Sequence, residues 1–267
     1  MTSITSRVER VIVELGLSEQ ARRVFWGVKR RQVRGEMNVS VGDASATFHV
    51  PTYSTYRAVK GARNDEKAVI RELLSHIRPN DTVWDVGANI GTHTCLVGSI
   101  LEGGEVRAFE PFEPNIDVLR KNIELNNTPA TISPYALSNM DGTVDFTLPY
   151  SQSAGSQQGT LSGEYTNEHH VVETVTVQTR LGDDVVDETQ PPDVIKLDVE
   201  GAGPQVLEGL TETIRTPGTR ARLLAIEPHE NWAEIRDILD EAGYDVFEPV
   251  YNTDSEQVRM WFVSLSE

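Results

Sequence analysis

Val83 to Thr94 reads VWDVGANIGTHT, and further along the run VRAFE closes on Glu110. Thr82 to Val86 is β-prone and carries Asp85, after which Gly87 and Gly91 let the backbone turn tightly and approach a ligand with no Cβ in the way. Leu96 to Leu101 supplies the apolar side of a short helix whose N-terminus faces that ligand. A second strand ends at Glu110, placed to accept hydrogen bonds from two ribose hydroxyls. Strand, glycine turn, helix and acid-terminated strand together predict an adenosine cofactor. A glycine turn alone would be weak evidence; the spaced pair of turn and acid is stronger.

The turn discriminates between two cofactor classes. Nicotinamide enzymes favour G-x-G-x-x-G, whose third glycine permits close helix packing around a pyrophosphate. Here the pattern is D-x-G-x-N-x-G, and Thr92 occupies the position of that third glycine. S-adenosylmethionine lacks phosphates and needs no such cradle, and Asp85 and Asn89 can meet its charged amino-acid end and its ribose.

Working outward, Asp193 to Asp198, Arg222 to Glu227, and the segments 105–110 and 130–136 read as further strands. Helices are expected at 91–101, 114–126, 204–214 and 232–242. This alternation implies a parallel sheet with helices on both faces. Tyr244 to Phe247 and Val258 to Val263 read as a closing antiparallel pair. Before the core, Met37 to Pro51 alternates about Gly42-Asp43 and predicts a hairpin, followed by a helix from Asp65 to Ile77. The rhythm breaks over Asp141 to Arg180, where the β-like GTVDFTL and TVTVQT flank a Gly/Ser/Gln-rich stretch and NEHHVVE, a composition suited to a substrate loop. The organisation is therefore an N-terminal helical and hairpin extension over 1–64 and a cofactor domain over 65–267.

The chain carries 24 Lys and Arg against 41 Asp and Glu, a formal charge of −17, with Lys29, Lys60, Lys67, Lys121 and Lys196 as its five lysines. Such a surface disfavours nonspecific nucleic-acid binding, which needs clustered cations. Its spread of acid suits a high-salt cytoplasm, where screening relieves self-repulsion. The segment Ser6 to Arg34 is the exception, with eight basic against three acidic residues. It reads as a helical lid on the acidic domain, or as a peripheral contact with an anionic membrane or a lipid-linked substrate. VIVELGL is interrupted by Glu14 and lacks a cleavage pattern, and no stretch approaches the roughly twenty apolar residues of a membrane span, so the expected location is cytoplasmic. Cys95, the single cysteine, reads as a small buried apolar residue.

DVGANIG, FEPFEPN, ALSN, VIKLDVEGA and AIEPH, in this order, resemble the FkbM family of S-adenosylmethionine-dependent methyltransferases over roughly Asp65 to Val263. The resemblance implies a Rossmann-like seven-stranded class I methyltransferase sheet, and methyl transfer, usually to a hydroxyl oxygen of a sugar, glycan or other small molecule. It carries Asp85, Gly87, Asn89 and Gly91 onto the family's cofactor turn, Glu110 onto its ribose acid, and Ala136, Leu137 and Ser138 onto the segment beside the adenine. Asp198 and Glu200 match its IKxDVEG segment; Glu227 and His229 match the acid and histidine after the next strand. One departure stands out: the family commonly reads EGAE, and Gly203 replaces that last acid.

Methyl transfer from a sulfonium is an in-line displacement, so much of the catalysis is alignment. A hydroxyl acceptor also needs a base within hydrogen-bond range; a uronic carboxylate arrives ionised and needs none. Candidate catalytic residues at strand ends are His229, Asp198, Glu200 and Glu227, with His229 the leading base because histidine titrates near neutrality. Asp198 either shares that task or orients the cofactor's amine. His93 is expected to cap or pack the first helix, and His169 and His170 to be surface residues. The residues offer no compact, diagnostic metal-ligand set. The competing functions are a nicotinamide-dependent oxidoreductase using Glu110 on ribose, and a catalytically inactive methyltransferase-like binding module.

Overall fold

The structure, a computed structural model, describes residues 35–148, 154–155, 173–228, 231–251 and 257–266. The basic segment 6–34, His169, His170 and His229 lie outside the described residues. The chain begins with the expected hairpin, β1 (Glu36–Val41) and β2 (Ala44–His49), paired antiparallel. Alternate residues point inward, among them Val39, Val41 and Phe48, while their neighbours face out. Helix α1 (Tyr53–Asn64) was not foreseen; Thr52 and Thr55 start it by exchanging side-chain and backbone hydrogen bonds across the first turn. Helix α2 (Lys67–His76) follows.

The central layer alternates as expected: β3 (Thr82–Val86), α3 (Thr92–Gly98), β4 (Glu105–Phe109), α4 (Glu113–Asn126) and β5 (Ala130–Ser133). Pro134 and Tyr135 end β5 before the expected boundary, and β6 (Ala136–Ser138) leaves the main sheet to pair in parallel with β8 (Glu173–Leu181), which also pairs antiparallel with β7 (Gly142–Leu148). After α5 (Gly182–Asp187) and β9 (Val194–Leu197), the expected helix at 204–214 is two, α6 (Gly203–Glu208) and α7 (Thr211–Arg215). They are separated at Gly209, where a Cβ would overlap the carbonyl oxygen of Ser138, and Asp183 caps the restart by accepting from the N–H groups of Glu212 and Thr213. The chain closes with β10 (Leu223–Ile226), α8 (Trp232–Glu241), β11 (Val246–Tyr251) and β12 (Val258–Ser264).

The main sheet has seven strands in the order β11-β12-β10-β9-β3-β4-β5. β12 runs antiparallel to β10 and β11, and the other pairings are parallel. This is the α/β fold of class I methyltransferases. β3 is buried along its whole length, as a strand covered on both faces must be. Trp84, Val86, Ile195, Leu197, Leu224 and Ile226 face α5 to α8, and each such side chain contributes roughly 1.5–3 kcal/mol by leaving water. Val83, Val106, Val194 and Ala225 face the opposite way, toward α2.

The hairpin lies outside α3 and α4, with Phe48 and Val39 in one cluster with Ile90, Leu96 and Val118. Asn126 and Asn122 of α4 satisfy the backbone edge of β2: Thr47 N–H donates to Asn126 Oδ1 at 2.8 Å, Asn126 Nδ2 donates to the Thr47 carbonyl, and His49 N–H donates to Asn122 Oδ1. An exposed edge strand would otherwise leave these groups to recruit another chain. At the N-terminal edge of the sheet, Arg222 forms a two-pronged pair with Asp81 at 2.9 and 2.7 Å and also donates to the His76 carbonyl. Among the described residues, no helix is long and apolar enough to cross a membrane.

Candidate active site

The chain runs outward from β3 through β4 to β5, then returns to β9 on the other side of β3. A crevice therefore opens at the carboxyl ends of β3 and β9, the switch point where open α/β sheets place ligands. Register does the rest. Phe109, Val86, Leu197 and Ile226 stand in one row across four strands, so the residues that follow them, Glu110, Gly87, Asp198 and Glu227, form the next row at the mouth. Gly87 has φ +81°, and a Cβ there would overlap the carbonyl oxygen of Asp198, so the two strand ends meet only because this residue is glycine.

A cavity of about 260 Å³ lies over this row, lined by Glu110, Asn89, His93, Lys196, Asp198 and Glu227, among others. Glu110 is 4% exposed. Its Oε2 accepts from Asn89 N–H at 2.8 Å and its Oε1 from Phe112 N–H at 2.9 Å, which fixes the carboxyl while leaving lone pairs for a ligand. Burial lifts its pKa to about 7, against the pull of those N–H groups and of Asn115.

Asp85 lies behind the cavity wall. It accepts from Thr94 Oγ1 at 2.6 Å and sits 3.0 Å from Lys196 Nζ. Lys196, 2% exposed, also reaches Asp198 at 3.3 Å and donates to the Gly87 carbonyl. One buried ammonium thus ties the cofactor turn to the end of β9. Burial pulls the Lys196 pKa down, but Asp85 and Asp198 outweigh it and hold the amine charged. Burial pushes Asp198 up, yet Lys196 and a hydrogen bond from Glu227 hold it below the usual carboxylate range. Glu227 is the other half of that pair: burial, then the charge and hydrogen bond of Asp198, raise it well above the usual carboxylate range. Arg259 Nη1 lies 2.7 Å from Glu227 Oε1, but this contact is outweighed, and Glu227 keeps its proton. Arg259 also pairs with Glu66 at 3.1 Å, which closes the cavity from the α2 side. Glu200, half-buried at the rim, rises to about 7 through burial and the nearby Asp198.

Of the remaining residues singled out from sequence, Ala136 lines the cavity, Leu137 points into the core, and Ser138 lies against Gly209. Gly91 takes φ +83° beneath the turn, where a Cβ would overlap the Leu119 side chain. Gly203 starts α6, packed against Ile235. Arg259 and Glu66 had no sequence signal, because their partners lie far away along the chain, and Lys196, although inside the IKxDVEG segment, gave no sign of its contact with Asp85. His93, expected to cap or pack α3, is buried in that helix and also borders the cavity.

The donor set fits S-adenosylmethionine. Acid predominates over cation around the cavity, which suits a ligand carrying a sulfonium and an ammonium. The ionised Asp198 at the mouth would repel the two charges of a dinucleotide pyrophosphate, which counts against the nicotinamide alternative.

Residues 85–246 match the profile of the methyltransferase FkbM domain. The chain is 31% identical over 198 residues to the hexuronic acid methyltransferase AglP of Haloferax volcanii, covering 73% of this chain and 76% of that one. It is 25% identical over 199 residues to methyltransferase sdnD of Sordaria araneosa, covering 65% of this chain and 77% of the relative. Among solved structures, Aeropyrum pernix fibrillarin in complex with natively bound S-adenosyl-L-methionine aligns with a TM-score of 0.45 at 12% identity, covering 74% of each chain.

Proposed function

Because the chain belongs to the FkbM family of S-adenosylmethionine-dependent methyltransferases, we propose that it methylates an oxygen of a sugar, with hexuronic acids as the acceptor class and a hydroxyl as the reacting group. The observation that carries the acceptor class is the likeness to a hexuronic acid methyltransferase across three-quarters of that protein. The cavity supports a hydroxyl over a carboxylate. An acceptor carboxylate at the reacting position would face the ionised Asp198 and, above about pH 7, Glu200, whereas a neutral hydroxyl meets no such repulsion.

When bound, S-adenosylmethionine supplies an electrophilic methyl group on a cationic sulfur. In this reading Glu110 holds the ribose hydroxyls and thereby fixes the cofactor along the mouth of the sheet. Asn89, in the left-handed region at φ +52°, turns the backbone so that its N–H secures Glu110. Ionised Asp198, braced by Lys196, faces the cationic end of the cofactor. Protonated Glu227 holds Asp198 in place, and Ala136 forms part of the floor. His229, matched to the family's histidine, remains a candidate base. The residues that hold acceptor and donor in line would supply much of the rate acceleration.

The test is incubation with S-adenosylmethionine and a panel of hexuronic acids beside their neutral hexoses, read by mass spectrometry before and after alkaline treatment. Alkali-resistant methylation of the acids is expected, because an ether survives where an ester is cleaved. Alkali-labile product would move the reaction to the carboxylate, and methylation of the neutral sugars alone would remove the acceptor class. The basic segment 6–34 would suit an acceptor carried on a lipid. Deleting it should then weaken partition onto anionic vesicles, and unchanged partition would dismiss that part.

A further inference from the structure

We propose that His93 is the base that takes the proton from the acceptor hydroxyl, an assignment resting on the hydroxyl-acceptor reading above. The side chain is 7% exposed and lines the cavity, and its Nε2 is buried with no hydrogen-bond partner. Buried polar atoms are almost always paired, so an unpaired ring nitrogen on a ligand cavity marks where a ligand's hydrogen belongs. The fold holds the ring in place: α3 begins directly after the glycine turn, and Thr94 beside it is anchored to Asp85.

The groups facing the ring explain how it can do this. Burial and then the Lys196 ammonium keep the imidazole neutral before reaction, against the opposing pull of Asp85, Glu66 and Asp198. Glu227 and Arg259 border the same cavity. A neutral ring protonated on Nδ1 presents a lone pair at Nε2. As the acceptor oxygen forms its bond to the methyl carbon, the carbon–sulfur bond breaks, its electron pair stays on sulfur, and the hydroxyl proton passes to Nε2. One positive charge leaves the sulfonium and one appears on the imidazole, so the net charge of the cavity is conserved. The three carboxylates that oppose neutrality then stabilise the imidazolium. Competing groups are less suited: Glu227 already holds a proton, and Asp198, committed to Lys196, is a weak base. Glu200 at the rim and His229, the base that the family resemblance offers, are the rivals to be eliminated.

Two measurements decide it. In the first, protein labelled with nitrogen-15 histidine is followed by NMR in its S-adenosylhomocysteine complex from about pH 5 to about pH 8.5, with His93→Gln used to assign the signal. A neutral ring with a bare Nε2 at neutral pH is expected. A cationic ring, or a proton on Nε2, overturns the assignment whatever the acceptor. In the second, methyl transfer to methyl D-glucuronoside is compared for wild type, His93→Gln, Glu200→Gln and His229→Gln. His93→Gln should lower kcat by about 100-fold or more, with S-adenosylhomocysteine affinity unchanged and the acidic limb of the pH profile lost. A His93→Gln enzyme that keeps its rate would overturn the assignment, and whichever of Glu200→Gln and His229→Gln then loses it would take the role. If wild type binds S-adenosylhomocysteine but methylates no hexuronoside, the acceptor reading fails separately, and the NMR result alone judges His93.

Discussion

Replacing Glu110 by Ala should remove most of the affinity for S-adenosylhomocysteine, and the pH dependence of binding should disappear with it. The carboxyl is nearly wholly buried, and its pKa is lifted to about 7. Two ribose hydroxyls donating to an ionised carboxylate contribute roughly 1.5–3 kcal/mol each, so losing both weakens binding by about 3–6 kcal/mol. That is about 10²- to 10⁴-fold. The sign with pH follows from the raised value. Above about 7 the free site is already ionised; below it, a proton must leave on binding, at about 1.4 kcal/mol per pH unit. Wild type should therefore bind about tenfold more weakly at pH 6 than at pH 8, releasing close to one proton at the lower pH. The same shift makes this group's contribution to folding stability in the free protein fall by about 3 kcal/mol as pH rises from about 4.5 to about 7. Isothermal titration in two buffers of different ionisation enthalpy reads both affinity and proton release. The N–H groups of Asn89 and Phe112 lose their acceptor in the variant, so its thermal melt must accompany the titration, with Glu110→Gln as the milder change. Binding by a folded Glu110→Ala within tenfold of wild type, or wild-type affinity that is flat between pH 6 and pH 8, would refute the assignment of ribose to this carboxyl.

Three other outcomes are expected. Gly87→Ala should cost about 2 kcal/mol or more in urea unfolding, because the added Cβ overlaps the Asp198 carbonyl and the φ of +81° is strained for alanine; full stability would mean the strand ends are not in contact. Arg222→Met should destabilise by about 3 kcal/mol by stranding buried Asp81 at the far edge of the sheet, while S-adenosylhomocysteine affinity stays at the wild-type value; a change in affinity would show that the two edges are coupled. Cys95 is buried in α3 with its thiol pushed up to about 11 by burial, so an aromatic disulfide reagent at about pH 8 should modify it only as fast as the protein unfolds.

The part of the fold legible in sequence is the part built from local signals. The β3 turn could be read because Gly87 and Gly91 adopt positive φ and because the apolar runs on either side have strand and helix periods. The row of Gly87, Glu110, Asp198 and Glu227 was named residue by residue, although that they stand side by side is a matter of register. Helix α1 is hard to read from sequence because Tyr53, Thr55, Tyr56 and Gly61 are weak helix formers; the Thr52 and Thr55 cap was the available signal. The break between α6 and α7 was hidden because Gly209 yields to the approach of Ser138 from another sheet. In the site, the pairing of Lys196 with Asp85 and of Arg259 with Glu66 and Glu227 joins residues far apart in sequence, and no spacing rule reaches that far. His93 looked like a helix residue because its meaning lies in what its Nε2 lacks.

The most direct test of the account is a crystal structure with S-adenosylhomocysteine and methyl D-glucuronoside bound. The account predicts the ribose hydroxyls on Glu110, and the sugar's reacting hydroxyl in line with the sulfur and within hydrogen-bond distance of His93 Nε2. Ribose held by other residues, or a sugar whose hydroxyls point away from the sulfur, would contradict it.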